Sequence, residues 1–152
     1  MILKLKKEPV GLVYKSLLDF ALRRCQSFSF VWRDQMEFER SASDFEVQIR
    51  SHLASEKRSN EWPGTWSASN ENIVRRYHCE ENSINKLARV NGVYSWIAPQ
   101  YPEDIVFYLP NGNPWFVSIA HEKTSWFEGE IEIIEDVIAN IPGLKMKGYL
   151  EV

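Results

Sequence analysis

An Asn-Gly dipeptide lies between two runs of β-forming residues in the second half of the chain, and no other local pattern restricts the fold as much. Residues 105–109 and 115–121 are rich in Ile, Val, Phe and Trp, and the connection between them contains Asn111 and Gly112. Both residues tolerate a positive φ, which a two-residue type I′ turn requires. The pattern predicts an antiparallel β-hairpin. A hairpin excludes an all-parallel sheet.

Apolar residues at spacings of three and four predict helices on both sides of this hairpin. In the residues that follow Gly11, apolar side chains form one broad face of the predicted helix and charged side chains form the opposite face. Ser43 and Glu46 match a capping box, which predicts the start of a second helix. The predicted helices cover residues 12–25, 43–58, 80–97 and 131–141.

Alternating apolar residues predict strands at residues 2–6, 27–33, 73–79 and 144–152, in addition to the hairpin. The lysines of residues 2–6 are typical of an edge strand. Residues 61–72 contain Pro, Gly, Ser and Asn, and predict a loop. The sequence therefore predicts a single α+β domain over residues 1–152. Its mixed sheet has about five strands, includes the Asn-Gly hairpin and is packed by about four helices.

Composition and charge exclude several classes of protein. An apolar fraction of 44% in 152 residues is that of an ordinary globular domain. Residues 1–58 contain 11 basic and 8 acidic side chains, and residues 59–152 contain 7 basic and 13 acidic side chains. This balance, without a basic stripe, argues against a nucleic-acid partner. The chain has no apolar run of membrane-spanning length, and its two cysteines lack a CxxC spacing. We therefore predict no membrane association, reduced thiols and a cytoplasmic location.

His121 and Glu122 are the candidate catalytic residues. They follow a predicted strand, and adjacent His and Glu side chains could share general acid–base work. Residue 125 is Ser, so the pair does not match the HExxH zinc motif. Neighbouring residues on a strand also point to opposite faces, which favours separate structural roles.

Metal ligation is the second chemical possibility. His78 and Cys79 are adjacent, and His52 or His121 could complete a set of zinc donors. None of these residues has the close paired spacing that is typical of zinc sites. We predict no bound metal and no cofactor.

The tryptophans divide into two groups. Trp32, Trp96 and Trp115 lie on predicted apolar faces, where core packing explains them. Trp62 and Trp66 bracket a Pro-Gly turn in the predicted loop. Exposed loop tryptophans can anchor a partner, because they bury a large area at low entropic cost. The alternative is that the loop folds back and closes the edge of the core.

The segments PEDIVFY (residues 102–108) and NGNPWFVSIAHE (residues 111–122) resemble a block found in small uncharacterised bacterial proteins. The resemblance extends to the first helix and to the loop at residues 61–65. Some members of that family are labelled stage III sporulation protein AH, a label that implies a membrane-anchored ring component. The resemblance implies no established activity and no catalytic residue.

Three functions remain open. Three features favour a non-enzymatic module that binds a protein, with a basic partner as one option. They are the absence of a coherent set of catalytic residues, the Trp62/Trp66 loop and the acidic second half of the chain. An immunity-type protein that neutralises a basic toxin would be one form of it. The alternatives are a small hydrolase-type enzyme that uses His121 and Glu122, and a sporulation-associated protein.

Overall fold

The computed structural model describes residues 1–150, and the side chains of residues 1–146. The strands are β1 (Ile2–Leu5), β2 (Ser27–Trp32), β3 (Leu53–Ser59), β4 (Glu61–Trp62), β5 (Thr65–Trp66), β6 (Asn72–His78), β7 (Glu103–Tyr108), β8 (Pro114–Ile119), β9 (Thr124–Glu128) and β10 (Met146–Leu150). The helices are α1 (Leu12–Arg24), α2 (Arg40–Ile49), α3 (Glu81–Leu87) and α4 (Ile131–Asn140). Both the α+β class and the four helices are confirmed.

One large sheet contains eight strands in the order β10-β1-β9-β8-β7-β2-β6-β3, and β4 and β5 form a separate small hairpin. Every strand pair in the described part of the chain is antiparallel, so the prediction of a mixed sheet was wrong. The sheet therefore has more strands than the predicted five or so, because β3 and β9 join the six segments that the sequence pattern indicated. The strand β1 pairs with β10 on one side and β9 on the other, so the prediction that it is an edge strand was wrong.

The two faces of the sheet differ in what covers them. The main core contains Phe28, Phe30 and Phe107 from the sheet, together with buried residues of all four helices. Residues alternate along a strand, so Val31 and Val106 lie on the opposite face. They belong to two smaller clusters there. Trp32, Trp96 and Trp115 are buried, as their apolar surroundings predicted.

The second predicted helix was misplaced. It begins at Arg40 and ends at Ile49, so the supposed capping box lies inside it. Residues 53–59 form β3 instead of its last turns, because their backbone groups pair with β6 along a seven-residue register that contains one irregularity. Tertiary pairing outweighs the local helical preference of this polar segment.

The third helix is shorter than predicted. It ends at Leu87, and Gly92 is extended with φ −163°. The amides of the following residues bond to the N-terminal segment: Val93 N–H donates to the carbonyl of Pro9, and Tyr94 N–H donates to Glu8. These two bonds replace the helical bonds that the amides of Val93 and Tyr94 would otherwise make, and Val93–Ser95 form a short 3-10 turn instead.

The Asn-Gly hairpin is confirmed, but its turn type was wrong. The connection has five residues, and the amide of Gly112 donates to the carbonyl of Leu109 at 2.8 Å. Gly112 has φ +89°, whereas Asn111 does not have a positive φ. A type I′ turn requires a positive φ at both central residues, so it is excluded, and the bond and the φ angles fit a type I turn followed by a glycine with positive φ.

The predicted last strand is present as Met146–Leu150, and residues 151–152 lie outside the described range. Across the described residues, no helix combines the length and the apolar character that crossing a membrane requires.

Candidate functional site

The small hairpin β4–β5 lies on the face of the sheet opposite the helices. Trp62 is only 7% exposed and packs with Val31 and Val74. Gly64, at the turn, has φ +86°, and a Cβ there would lie 3.0 Å from Cη2 of Trp126. The close approach of the hairpin to the sheet therefore requires glycine at this position.

The two loop tryptophans have different environments. Trp62 closes the edge of a small apolar cluster, as the fold-back alternative expected, and its burial rules it out as a surface contact. Trp66 is 70% exposed. Only Trp66 is therefore placed to touch another molecule.

Asp104 connects this hairpin to the turn that follows β8. Its side chain is fully buried, and it adopts a left-handed backbone conformation with φ +61°. Oδ2 accepts a hydrogen bond from the indole Nε1 of Trp62 at 3.1 Å, and Oδ1 accepts one from the amide of Ala120 at 2.9 Å. Burial raises the pKa of Asp104 above its usual value, against the lowering effect of the hydrogen bond from Ala120. One carboxylate thus fixes two surface segments relative to each other.

Arg33 and Glu103 form an ion pair beside Asp104. A guanidinium nitrogen of Arg33 lies 2.9 Å from Oε2 of Glu103, and the Glu103 side chain is 7% exposed. The guanidinium carbon also lies 4.9 Å from the ring centroid of Trp62, within cation–π range. Arg33 therefore compensates the burial of Glu103. It also contacts the ring of Trp62, whose Nε1 bonds to Asp104.

His121 and Glu122 lie on a 3-10 turn, Ala120–Glu122, and not on a strand. Neighbouring side chains point to opposite faces only on a strand, so the reason for expecting these two side chains to diverge does not apply. Both residues are exposed, and Nδ1 of His121 lies 4.0 Å from Oε2 of Glu103. A cavity of about 310 Å³ is lined by Arg33, Gly64, Thr65, Trp66, Ser67, His121 and Glu122. The structure thus brings His121, Glu122 and Trp66 to one pocket.

Among the described residues, one group of side chains in this region could form a metal-ligand set. Oxygen or nitrogen atoms of Glu103, Asp104 and His121 lie within 4.8 Å of one another. Arg33 already pairs with Glu103, and both oxygens of Asp104 accept hydrogen bonds. A cation would therefore have to displace the guanidinium. The absence of a bound metal stays a prediction.

The other suggested ligands do not join this cluster. His52 contacts Glu80 and Asn82, each at 3.0 Å. The thiol of Cys79 donates to the carbonyl of Ala21, and burial raises its pKa to about 12. A thiol with such a pKa is a poor nucleophile near neutral pH.

A larger cavity, of about 600 Å³, lies between the N-terminal residues and the start of α4. Its lining includes Met1, Asn111 and Glu130, but no histidine, cysteine or tryptophan. The smaller pocket is the better candidate, because it is lined by an exposed tryptophan, a histidine and Arg33, whose guanidinium pairs with the buried Glu103.

Sequence reasoning did not select Arg33, Glu103 or Asp104. A signal was present, because two consecutive acidic residues are unusual at the start of a strand as apolar as β7. Buried carboxylates need partners, so such a pair indicates hydrogen bonds or a cation nearby.

Comparison with models of protein families, with curated proteins and with solved structures finds no match for this chain. The resemblance of residues 102–122 to a bacterial family stays a prediction.

Proposed function

We propose that this protein is a non-enzymatic module that binds another protein through the surface around Trp66. One observation carries the proposal: Trp66 is 70% exposed on a hairpin whose other tryptophan, Trp62, is 7% exposed. Tryptophan is among the residues most enriched at the energetic centres of protein interfaces.

Contacts within the protein hold the hairpin that carries Trp66, without the help of a partner. Trp62 bonds to Asp104 and stacks with Arg33, and Gly64 lies against Trp126. A side chain presented on such a fixed segment loses less conformational entropy on binding than one on a free loop. This rigidity distinguishes Trp66 from a tryptophan exposed by chance on a mobile tip.

The surroundings of Trp66 also have the composition of an interface. Its neighbours in the pocket are polar or charged and include Ser67, His121 and Glu122. An aromatic centre with a polar rim is typical of transient protein–protein contacts. The net charge of −3 supports a protein partner over a nucleic acid, and we place the interaction in the cytoplasm.

The test is quantitative capture from lysate of the source cells with three immobilised proteins: the wild type, Trp66→Ala and Leu12→Ala. Leu12 is 82% exposed on α1 and serves as the matched control for loss of an exposed apolar side chain. We expect one protein to be retained by the wild type and by Leu12→Ala, and to be lost with Trp66→Ala. Equal retention by all three would contradict the proposal.

A hydrolase-type enzyme is the second candidate. The observation that favours it is that His121 and Glu122 line one pocket with Arg33. In that case His121 would act as general base, with Glu103 oriented toward its Nδ1 at 4.0 Å. Hydrolysis of a panel of aryl esters and aryl phosphates that is abolished in His121→Ala, with Trp66→Ala still active, would favour the enzyme over the binding module.

A further inference from the structure

The inference rests on the proposed function and concerns the chemistry that the pocket beside Trp66 recognises. Two charged side chains of the pocket, Arg33 and Glu122, differ in whether they have a partner. Arg33 is engaged by Glu103 at 2.9 Å, whereas Glu122 is exposed and makes no hydrogen bond or ion pair with the described residues. The pocket therefore carries one carboxylate that is available to a partner.

The hairpin already shows how this surface binds a guanidinium. The Arg33 group lies 4.9 Å from the ring of Trp62 and pairs with Glu103. Trp66 and Glu122 supply the same two groups, an indole and a carboxylate, to the pocket. Arg33 also lines the pocket, but its guanidinium is already paired with Glu103.

The size of the pocket also limits what can enter it. The volume, about 310 Å³, is at the lower end of the range of small-ligand pockets, which suits a single side chain.

We infer that the pocket receives an arginine side chain of the partner protein. Its guanidinium stacks on the indole of Trp66 and donates to the carboxylate of Glu122. Arginine fits better than lysine because its planar, weakly hydrated group can stack and donate in a fork at the same time. An acidic side chain would be repelled by Glu122.

The experiment follows the indole N–H signal of Trp66 by NMR, assigned through its loss in Trp66→Phe. The probes are acetyl-Gly-Arg-Gly-amide and the same peptide with citrulline, which has nearly the same shape and no charge. We expect a saturable shift with the arginine peptide and a clearly smaller one with citrulline. Glu122→Gln should weaken binding about two- to fivefold, as exposed charge pairs do. Glu132→Gln, an exposed glutamate on α4, should leave it unchanged.

Equal shifts with both peptides, no shift, or an unaltered affinity in Glu122→Gln would overturn the inference. If capture of a protein is lost in Trp66→Ala while no arginine peptide binds, the proposed function stands and the arginine pocket fails. If the peptide binds but capture does not depend on Trp66, partner recognition through this pocket is refuted.

Discussion

Replacement of Asp104 by alanine removes both oxygens that accept hydrogen bonds from Trp62 and from the amide of Ala120. A buried donor left without an acceptor costs about 1–3 kcal/mol. Alanine at φ +61° adds backbone strain of about 1 kcal/mol. We therefore expect Asp104→Ala to lower the free energy of unfolding by about 3–7 kcal/mol.

The Asp104→Asn variant separates the cost of the lost hydrogen bonds from the cost of the backbone strain. Asp104→Asn has nearly the same shape, tolerates a positive φ and keeps one accepting oxygen. It should cost about 1–3 kcal/mol, which corresponds to roughly 2–12 °C in melting temperature for a domain of this size. Urea unfolding followed by tryptophan fluorescence measures both variants against the wild type.

The pH dependence gives an independent check. Burial raises the pKa of Asp104 in the folded state above the ordinary value of 3.8. The protonated carboxyl is thus favoured in the fold, so its contribution is fully present below the unfolded pKa and is lost as pH rises through the folded pKa. Asp104→Asn cannot titrate. The difference in stability between wild type and Asp104→Asn should therefore change in that window and be constant at higher pH.

A double-mutant cycle decides whether Asp104 holds the hairpin. Trp62→Phe keeps the aromatic ring but removes the indole N–H that donates to Asp104. Combined with Asp104→Ala, which removes the acceptor, it should show a coupling energy of about 1–3 kcal/mol. A coupling near zero, or a loss below about 1 kcal/mol in Asp104→Ala, would refute the reasoning.

Three further predictions concern stability and use the same unfolding assay. Trp62→Ala should cost about 3–5 kcal/mol because the side chain is buried, whereas Trp66→Ala should change stability by less than about 0.5 kcal/mol; equal losses would contradict the division between them. Gly112→Val should cost about 1 kcal/mol or more through backbone strain alone, since a Cβ at Gly112 meets nothing within 4 Å, and an unchanged denaturant midpoint would show that φ +89° is not required. Tyr14→Phe removes the hydroxyl that accepts from Trp96 Nε1 at 3.0 Å and should cost about 1–3 kcal/mol; a neutral effect would mean that this buried indole finds another acceptor.

The sequence predicted the fold best where periodicity and chemistry agreed. The helix α1 and the hairpin of β7 and β8 have strong patterns along their whole length. The prediction failed for β3, whose seven residues include Glu56, Lys57 and Arg58 and have no apolar alternation. The strand exists because β6 lies beside it and Arg75 of β6 bonds to Glu56 at 2.8 Å. No local pattern contains that information.

The site was predicted in part. Sequence reasoning selected Trp62, Trp66, His121 and Glu122 as two unrelated candidates. The link between them is the carboxylate of Asp104, which is 42 residues from Trp62 and 16 from Ala120 along the chain. Contacts over such separations depend on strand order, which the sequence pattern does not contain.

The most direct test of the central claim is site-specific crosslinking from position 66. Trp66 is replaced by the photoreactive residue p-benzoylphenylalanine, and the same replacement is made at Leu12, which is 82% exposed. After irradiation in the source cells, the account predicts a covalent adduct with one protein from position 66, and none with that protein from position 12. Mass spectrometry of the adduct would also show whether the crosslinked peptide contains arginine. No adduct from position 66, or the same adducts from both positions, would contradict the claim that Trp66 is the centre of a binding surface.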